Sequence, residues 1–253
     1  MMDSHSERSI QRVITHICQN MGDQITIDDM ARTAMFSKFH FTRIFQRATG
    51  VSPGRFLSAV RLQEAKRLLL STSMSVTEIS HKVGYSSVGT FSTRFKNSVG
   101  LSPTAYRELR GFAPSIPVAS HHSSPRSMSI QGEVLQQTSS DYAEGMVFIG
   151  LFPDTIPQGR PTRCTVLDRP SAFRLDNVPE GDWHLLVQSV APGEEQVIGD
   201  TPPTVAMHGP ITIRHDRLVR PLRLSLRPMR MLDPPVLLAL LDARQGALSA
   251  AAS

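Results

Sequence analysis

On a helix, the residues of segment 37–49 sort into two arcs: Phe41, Ile44, Phe45 and Ala48 on one side, and Phe39, Arg43, Gln46 and Arg47 opposite them. The apolar arc must face a core, which turns the other outward. An arginine guanidinium presents parallel N–H donors that match O6 and N7 of guanine in a major groove, and a phenyl ring can meet a thymine methyl. Arg43 and Phe39 are of those types. Lys38 and Arg47 suit phosphate oxygens, which hold a protein in register without reading sequence. A second segment, 87–99, buries Phe91, Phe95 and Val99 with Val88 at the edge, and presents Gly89, Thr90, Thr93 and Asn97 flanked by Arg94 and Lys96. Its hydroxyls can reach bases or phosphates and Gly89 allows close backbone approach, but none of these offers the arginine fork, so more positioning than readout is expected from it. A plainer reading stays open: Phe39 seals against the preceding helix, the arginines are solvated, and each threonine is an ordinary exposed residue.

The elements that must position these faces are helices. Residues 8–110 carry apolar positions at three- and four-residue spacing, beginning with Ile10, Val13, Ile14 and Ile17. A short helix follows Thr26, which can cap it. Further helices are expected over 37–49, 53–70, 75–83, 87–99 and 103–110, seven in all. The region also repeats. Phe41, Phe45, Gly50, Ser52, Pro53 and Phe56 recur 50 residues later as Phe91, Phe95, Gly100, Ser102, Pro103 and Tyr106. Upstream, Ile27, Met30, Ala34 and Phe36 match Val76, Ile79, Val83 and Tyr85 at a spacing of 49, which gives the second copy one extra residue in its turn. Short helix, tight turn and longer helix is the helix-turn-helix plan, here over about 27–49 and 76–99.

Charge follows the same division. Residues 1–112 hold 15 Lys plus Arg against 8 Asp plus Glu, and the remainder 12 against 14, so the net positive charge lies wholly in the first part. A polyanion met by one domain only accounts for that asymmetry. A lysine-rich surface can serve solubility alone, but 4 Lys against 23 Arg weaken that account. Cys18 and Cys164 lie far apart, in different expected domains, so no disulfide framework is implied and a reducing compartment is expected. No stretch reaches the roughly 18 apolar residues needed to span a bilayer, and the N-terminus lacks the apolar core of a signal peptide. A cytoplasmic, nucleoid-associated protein without membrane contact is expected.

Residues 111–128, rich in Pro and Ser, read as a linker. Beyond them the period becomes two: Ile130 and Val134; Val147, Ile149 and Leu151; Phe173 and Leu175; Trp183, Leu185 and Val187; Ile211 and Ile213; Leu222, Leu224 and Leu226. Seven or so short strands suggest a small all-β sandwich over 129–230. The last part, 231–253, reads as a closing helix over 235–243, packing Leu237, Leu238 and Leu241 on that domain, followed by a tail.

The strings SKFHFTRIFQRATGVSPGRFL (37–57) and VGYSSVGTFSTRFKNSVGLSPTAYR (83–107) resemble the AraC/XylS family of bacterial transcription regulators. The likeness covers about 8–110. It implies a pair of helix-turn-helix units joined by a long helix, reading adjacent major-groove segments of double-stranded promoter DNA with about 34 Å between recognition helices. Carried over by position, the family's base-reading sites fall on Phe39, Thr42 and Arg43 in the first unit and Val88, Gly89, Thr90 and Thr93 in the second. Met35 departs from a turn glycine common in the family, and Thr93 from a common arginine. Many members carry the DNA-binding domain last, whereas here it comes first. Activation is the commoner behaviour of the family, and RNA polymerase is a candidate partner. The C-terminal strings, above all Phe-x-Leu-x-x-Val-Pro-x-Gly-x-Trp at 173–183, resemble the transthyretin-like sandwich of carboxypeptidase regulatory domains. Sensing a small-molecule effector, assembling a dimer or touching the transcription machinery are the roles that likeness implies.

An enzyme needs a catalytic constellation, and none is legible. His184, His208 and His215 lack zinc-site spacing with Cys164, Asp182 or Asp216, and the chain has no Gly-rich phosphate loop. DNA-repair methyltransferases that carry a module of this kind need a reactive Cys beside a His, whereas Cys164 stands between Arg163 and Thr165 in an expected strand. The His121–His122 pair reads as solvated. No cofactor or metal is expected. The competing function is an architectural DNA-binding protein with weak sequence preference.

Overall fold

The computed structural model describes residues 4–111, 128–136, 145–156, 158–159, 161–189, 204–214 and 220–237. These divide into two compact units, one of residues up to Gly111 together with Arg230–Leu237, the other holding the strands.

The first unit contains seven helices: α1 (Ser4–Gln19), α2 (Ile27–Ala34), α3 (Lys38–Thr49), α4 (Pro53–Ser71), α5 (Val76–Lys82), α6 (Val88–Val99) and α7 (Pro103–Glu108). Helix α1 begins at Ser4, earlier than the periodicity suggested, and buries Ile10, Val13, Ile14 and Ile17. Each later start has its chemical reason. Thr26 and Asp29 form a reciprocal capping box on α2, as Ser75 and Glu78 do on α5. Ser37, Ser87 and Ser102 accept backbone N–H bonds at the starts of α3, α6 and α7, and Pro53 and Pro103 stand in the first turn of their helices. The cap bonds hold the carboxylates of Asp29 and Glu78 below their ordinary ionisation range, in each case through Thr26 or Ser75 respectively.

The 49- and 50-residue repeat is physical as well as textual. Phe36 N donates to Ala31 O and Met35 N to Arg32 O; 49 residues later Tyr85 N donates to Ser80 O and Gly84 N to His81 O. Both helices therefore end in the same two-bond turn, with Met35 and Gly84 in left-handed conformations at φ of 61° and 83°. The extra residue of the second turn is Ser86, between Tyr85 and the cap Ser87. Gly50 and Gly100 close α3 and α6 with N–H bonds to Gln46 O and Lys96 O. Inside each copy runs a ladder of rings. Phe41, Phe45 and Phe56 pack with centroids 5.4 and 5.5 Å apart, and Phe91, Phe95 and Tyr106 with centroids 5.7 and 5.5 Å apart.

The segment Arg230–Leu237 belongs to this helical unit. Asp233 closes a turn on Arg230, Thr15 of α1 lies 3.8 Å from the sulfur of Met231, and Leu232 and Leu237 are buried. Of the closing helix expected over 235–243, only 235–237 lie within the described residues. Residues 234–237 are not helical, and Leu237 is buried in a segment that goes with the helical unit, not the strands. Leu238 and Leu241 lie outside the described residues, as does 112–127 of the expected linker.

The second unit contains β1 (Met128–Gln136), β2 (Val147–Phe152), β3 (Arg163–Leu167), β4 (Ala172–Val178), β5 (Gly181–Ser189), β6 (Thr204–Ile213) and β7 (Leu222–Pro228). They form one sheet in the order β3-β2-β5-β6-β7-β1-β4, antiparallel except for β1 beside β7. The terminal strands β3 and β4 approach one another, so the sheet nearly closes into a barrel around Ile149, Leu151, Leu175, Trp183, Val187 and Leu224. The two-sheet sandwich expected from the alternation is corrected to this single curled sheet. Alternation fixes an inner and an outer face but not where partners change, and among the described residues β6 and β7 pair at Thr204–Pro228 and Val205–Arg227. The 173–183 run is explained residue by residue. Phe173 and Leu175 point inward, Asn177 at φ 56° shifts the register so that Val178 does too, and Trp183 donates its indole N–H to Pro179 O at 2.9 Å. Among the described residues no helix is long and apolar enough to cross a membrane.

Two stability outcomes follow. Phe95→Ala removes the middle ring of the second ladder and should cost about 3–5 kcal/mol in urea unfolding; unchanged stability would refute the ladder as core. Met35 pays the left-handed penalty that Gly84 avoids, and its side chain is 79% exposed. Met35→Gly should therefore raise stability by about 1 kcal/mol, and a loss would show the side chain outweighing its backbone strain.

Candidate nucleic-acid interface

Helix α3 is fixed at both ends by Ser37 and Gly50 and on one face by Phe41, Ile44 and Phe45, so its remaining face has no freedom but to point outward. Lys38, Phe39, His40, Arg43, Gln46 and Arg47 are exposed and Thr42 is half-buried. Phe39 is 90% exposed, which rules out the reading that it seals against α2. The Lys38 ammonium lies 2.9 Å from the Asp28 carboxylate on α2; both are exposed, so the pair is weak and Lys38 can exchange it for another anion. Thr42 donates its hydroxyl to Lys38 O at 2.9 Å, leaving that oxygen only as an acceptor. No ion pair among the described residues engages Arg43 or Arg47.

Helix α6 is built the same way between Ser87 and Gly100, with Phe91, Phe95, Ser98 and Val99 buried. Gly89, Thr90, Thr93, Arg94, Lys96 and Asn97 are exposed and Val88 is half-buried. A Cβ at Gly89 would meet nothing closer than Ser87 Oγ at 3.8 Å, so this position is open rather than sterically required to be glycine. Neither longer helix contains a carboxylate, whereas the short helices carry Asp28, Asp29 and Glu78. Each copy thus withdraws negative charge from the helix it presents, as a surface facing phosphates requires.

All ten residues expected at the interface fall on these two helices, with Thr42 and Val88 at the buried margin of their faces. His40 was missed. It lies three residues before Arg43 and seven before Arg47, on one stripe, and stacks on Phe36 at a centroid separation of 4.9 Å and an interplanar angle of 19°. The i, i+3, i+7 spacing was the signal available.

Of the residues weighed for an enzyme, Asp182 and His184 lie on β5 and His208 on the neighbouring β6, while Cys164 lies on β3. Cys164 on β3 stands opposite Gly150, and burial pushes its thiol pKa up, away from the reactive thiolate. Asp182 accepts the Thr212 hydroxyl at 2.6 Å, and His208 is exposed on β6. Among the described residues no three His, Cys, Asp or Glu side chains gather where an ion would sit. His121, His122, His215 and Asp216 lie outside the described residues.

Two copies of a short helix, a tight turn and an outward-facing longer helix are the architecture of a helix-turn-helix protein, and the family description "helix-turn-helix domain" matches residues 30–109. The HTH-type transcriptional activator AarP of Providencia stuartii is 31% identical over 98 residues, covering 39% of this chain and 73% of that protein. An HTH-type transcriptional regulator of Haemophilus influenzae is 40% identical over 102 residues, 40% of this chain but only 34% of its own length. Among solved structures, the DNA-binding domain of AdpA in complex with a target DNA is 29% identical, covering 39% of this chain and 89% of that one, with a TM-score of 0.39. The chain belongs to the AraC family of helix-turn-helix transcription regulators.

Because Phe39 touches so little of its own protein, Phe39→Ala should leave the urea midpoint nearly unchanged, within about 0.5 kcal/mol, while Phe41→Ala should cost about 3–5 kcal/mol. Comparable losses from both would place Phe39 in the core.

Proposed function

We propose that this chain is a sequence-specific transcription regulator, an activator, that inserts α3 and α6 into adjacent major-groove segments of promoter DNA as the recognition helices of two helix-turn-helix units. The observation that carries this is the outward face of α3, where a 90% exposed phenylalanine stands beside Arg43 and Arg47, on a helix without a carboxylate. Arg43 reads guanine, Phe39 meets a thymine methyl, Lys38 and Arg47 hold phosphates, and Thr42 accepts from a base or bridging water. In the second unit Val88, Gly89, Thr90 and Thr93 line the groove and Arg94 holds the backbone. Activation is supported by AarP, which is named an activator. The strand unit then carries the regulatory role, as an effector-binding, dimer-forming or polymerase-contacting module.

A second reading, architectural binding with weak sequence preference, is favoured by one observation. The exposed first turns of α6 offer no bidentate donor where Thr93 stands. The two readings part on paired variants. Arg43→Ala should relax base preference by about 1–3 kcal/mol at one position, whereas Arg47→Ala should weaken all sequences alike and reduce the salt slope by about one. Equal losses from both changes, on selected and random duplexes, would favour the architectural reading.

A further inference from the structure

Arg61, in the middle of α4, faces two pieces of backbone, the connection that leads into the first copy of the repeat and the turn inside the second. Its Nε donates to Met21 O at 2.9 Å and its Nη2 to Asp23 O at 2.6 Å, both in the connection that leads from α1 into α2. The same guanidinium lies over the ring of Tyr85, 5.8 Å from its centroid, and Tyr85 directly follows the turn glycine of the second copy. The Tyr85 hydroxyl is 3.2 Å from Ser58 Oγ, three residues before Arg61 on α4. No side chain separates the two backbones: a Cβ at Gly22 would stand 2.8 Å from Lys82 O, and one at Gly84 would stand 2.5 Å from Met21 O and 2.6 Å from Arg61 Nη2.

We propose that Arg61 is a positioning residue for two-site recognition, fixing the separation and angular phase of α3 and α6 by clamping residues 21–23, which lead into the first copy, to the 82–85 turn of the second. Residues 21–23 lie just ahead of the Thr26 cap of α2, and the 82–85 turn lies just ahead of the Ser87 cap of α6. A slip between them displaces one presented helix relative to the other, while the ring ladders inside each copy stay packed. Arginine suits the task because its planar fork spans two carbonyls at once and still offers a face to a ring. The chemistry asked of a duplex is correspondingly strict: two base blocks at one spacing, with an inserted base pair putting one block out of reach. This inference rests on the DNA-reading proposal for its consequence, but its geometry is measurable without DNA.

The experiment uses the full chain with Cys18→Ser and Cys164→Ser, and with Gln46→Cys and Asn97→Cys carrying spin labels on the exposed faces of α3 and α6. With Arg61 present, pulsed dipolar spectroscopy should give one narrow distance distribution; with Arg61→Ala it should broaden or shift while each copy stays folded by circular dichroism. If Arg61→Ala fails to fold, Arg61→Lys, which keeps the charge but loses the fork, should broaden the distribution in a folded chain. In the second arm, a duplex selected from a random pool by the unsubstituted protein is lengthened by one base pair between its blocks. That insertion should cost the parent about tenfold or more in affinity and the Arg61 variant clearly less. A distribution as narrow and as centred in the Arg61 variant as in the parent would overturn the proposal. Failure of the pool to yield any preferred sequence would instead count against the DNA-reading proposal, with the distance arm still deciding the role of Arg61.

Discussion

Burial of aromatic rings on one face of each longer helix is the constraint from which the rest of the first unit follows. Phe41 and Phe45 on α3, and Phe91 and Phe95 on α6, are wholly inaccessible, and each pair continues into a ring on the next helix, Phe56 or Tyr106. Each ring buries enough apolar surface to dominate the orientation of its helix. Once these faces are turned in, Arg43, Arg47 and Phe39 on one helix, and Thr90, Thr93 and Arg94 on the other, have nowhere to go but out. The serine caps and the left-handed glycines set where each helix starts and stops, so the exposed faces are fixed in length as well as in direction.

Much of this was legible in the sequence because the repeat reports it twice. Two copies at offsets of 49 and 50 residues locate the turns, the caps and the ladders. Even the one-residue difference between the copies proves to be Ser86 in the second turn. The position of Met35 was also legible, but its consequence was not. Sequence alone marks it as a departure from the family's turn glycine, and the structure keeps the same two-bond turn as at Gly84, with methionine in a left-handed conformation.

What escaped the sequence shares one physical character, namely interactions between residues far apart in the chain. Arg61 bonds carbonyl groups 38 and 40 residues away, and no periodicity reports a side chain that binds backbone. The return of Arg230–Leu237 to the helical unit depends on surfaces remote in sequence, and the leucines there read equally well as a short helix. In the strand unit, the alternation gave inward residues for six of the seven strands, and β3, half-buried along its whole length, showed none. Alternation left the partner exchange at β6 and β7 open, which is the difference between two stacked sheets and one that nearly closes.

The central claim is that α3 and α6 together read a defined sequence. It is tested most directly by selecting bound genomic fragments with the purified full chain at about 150 mM salt, where nonspecific phosphate attraction is already reduced. The account predicts one enriched motif with two blocks about 10 base pairs apart, one helical turn, the α3 block being the more sharply defined. Enrichment without a motif, or a motif of a single block, would contradict it.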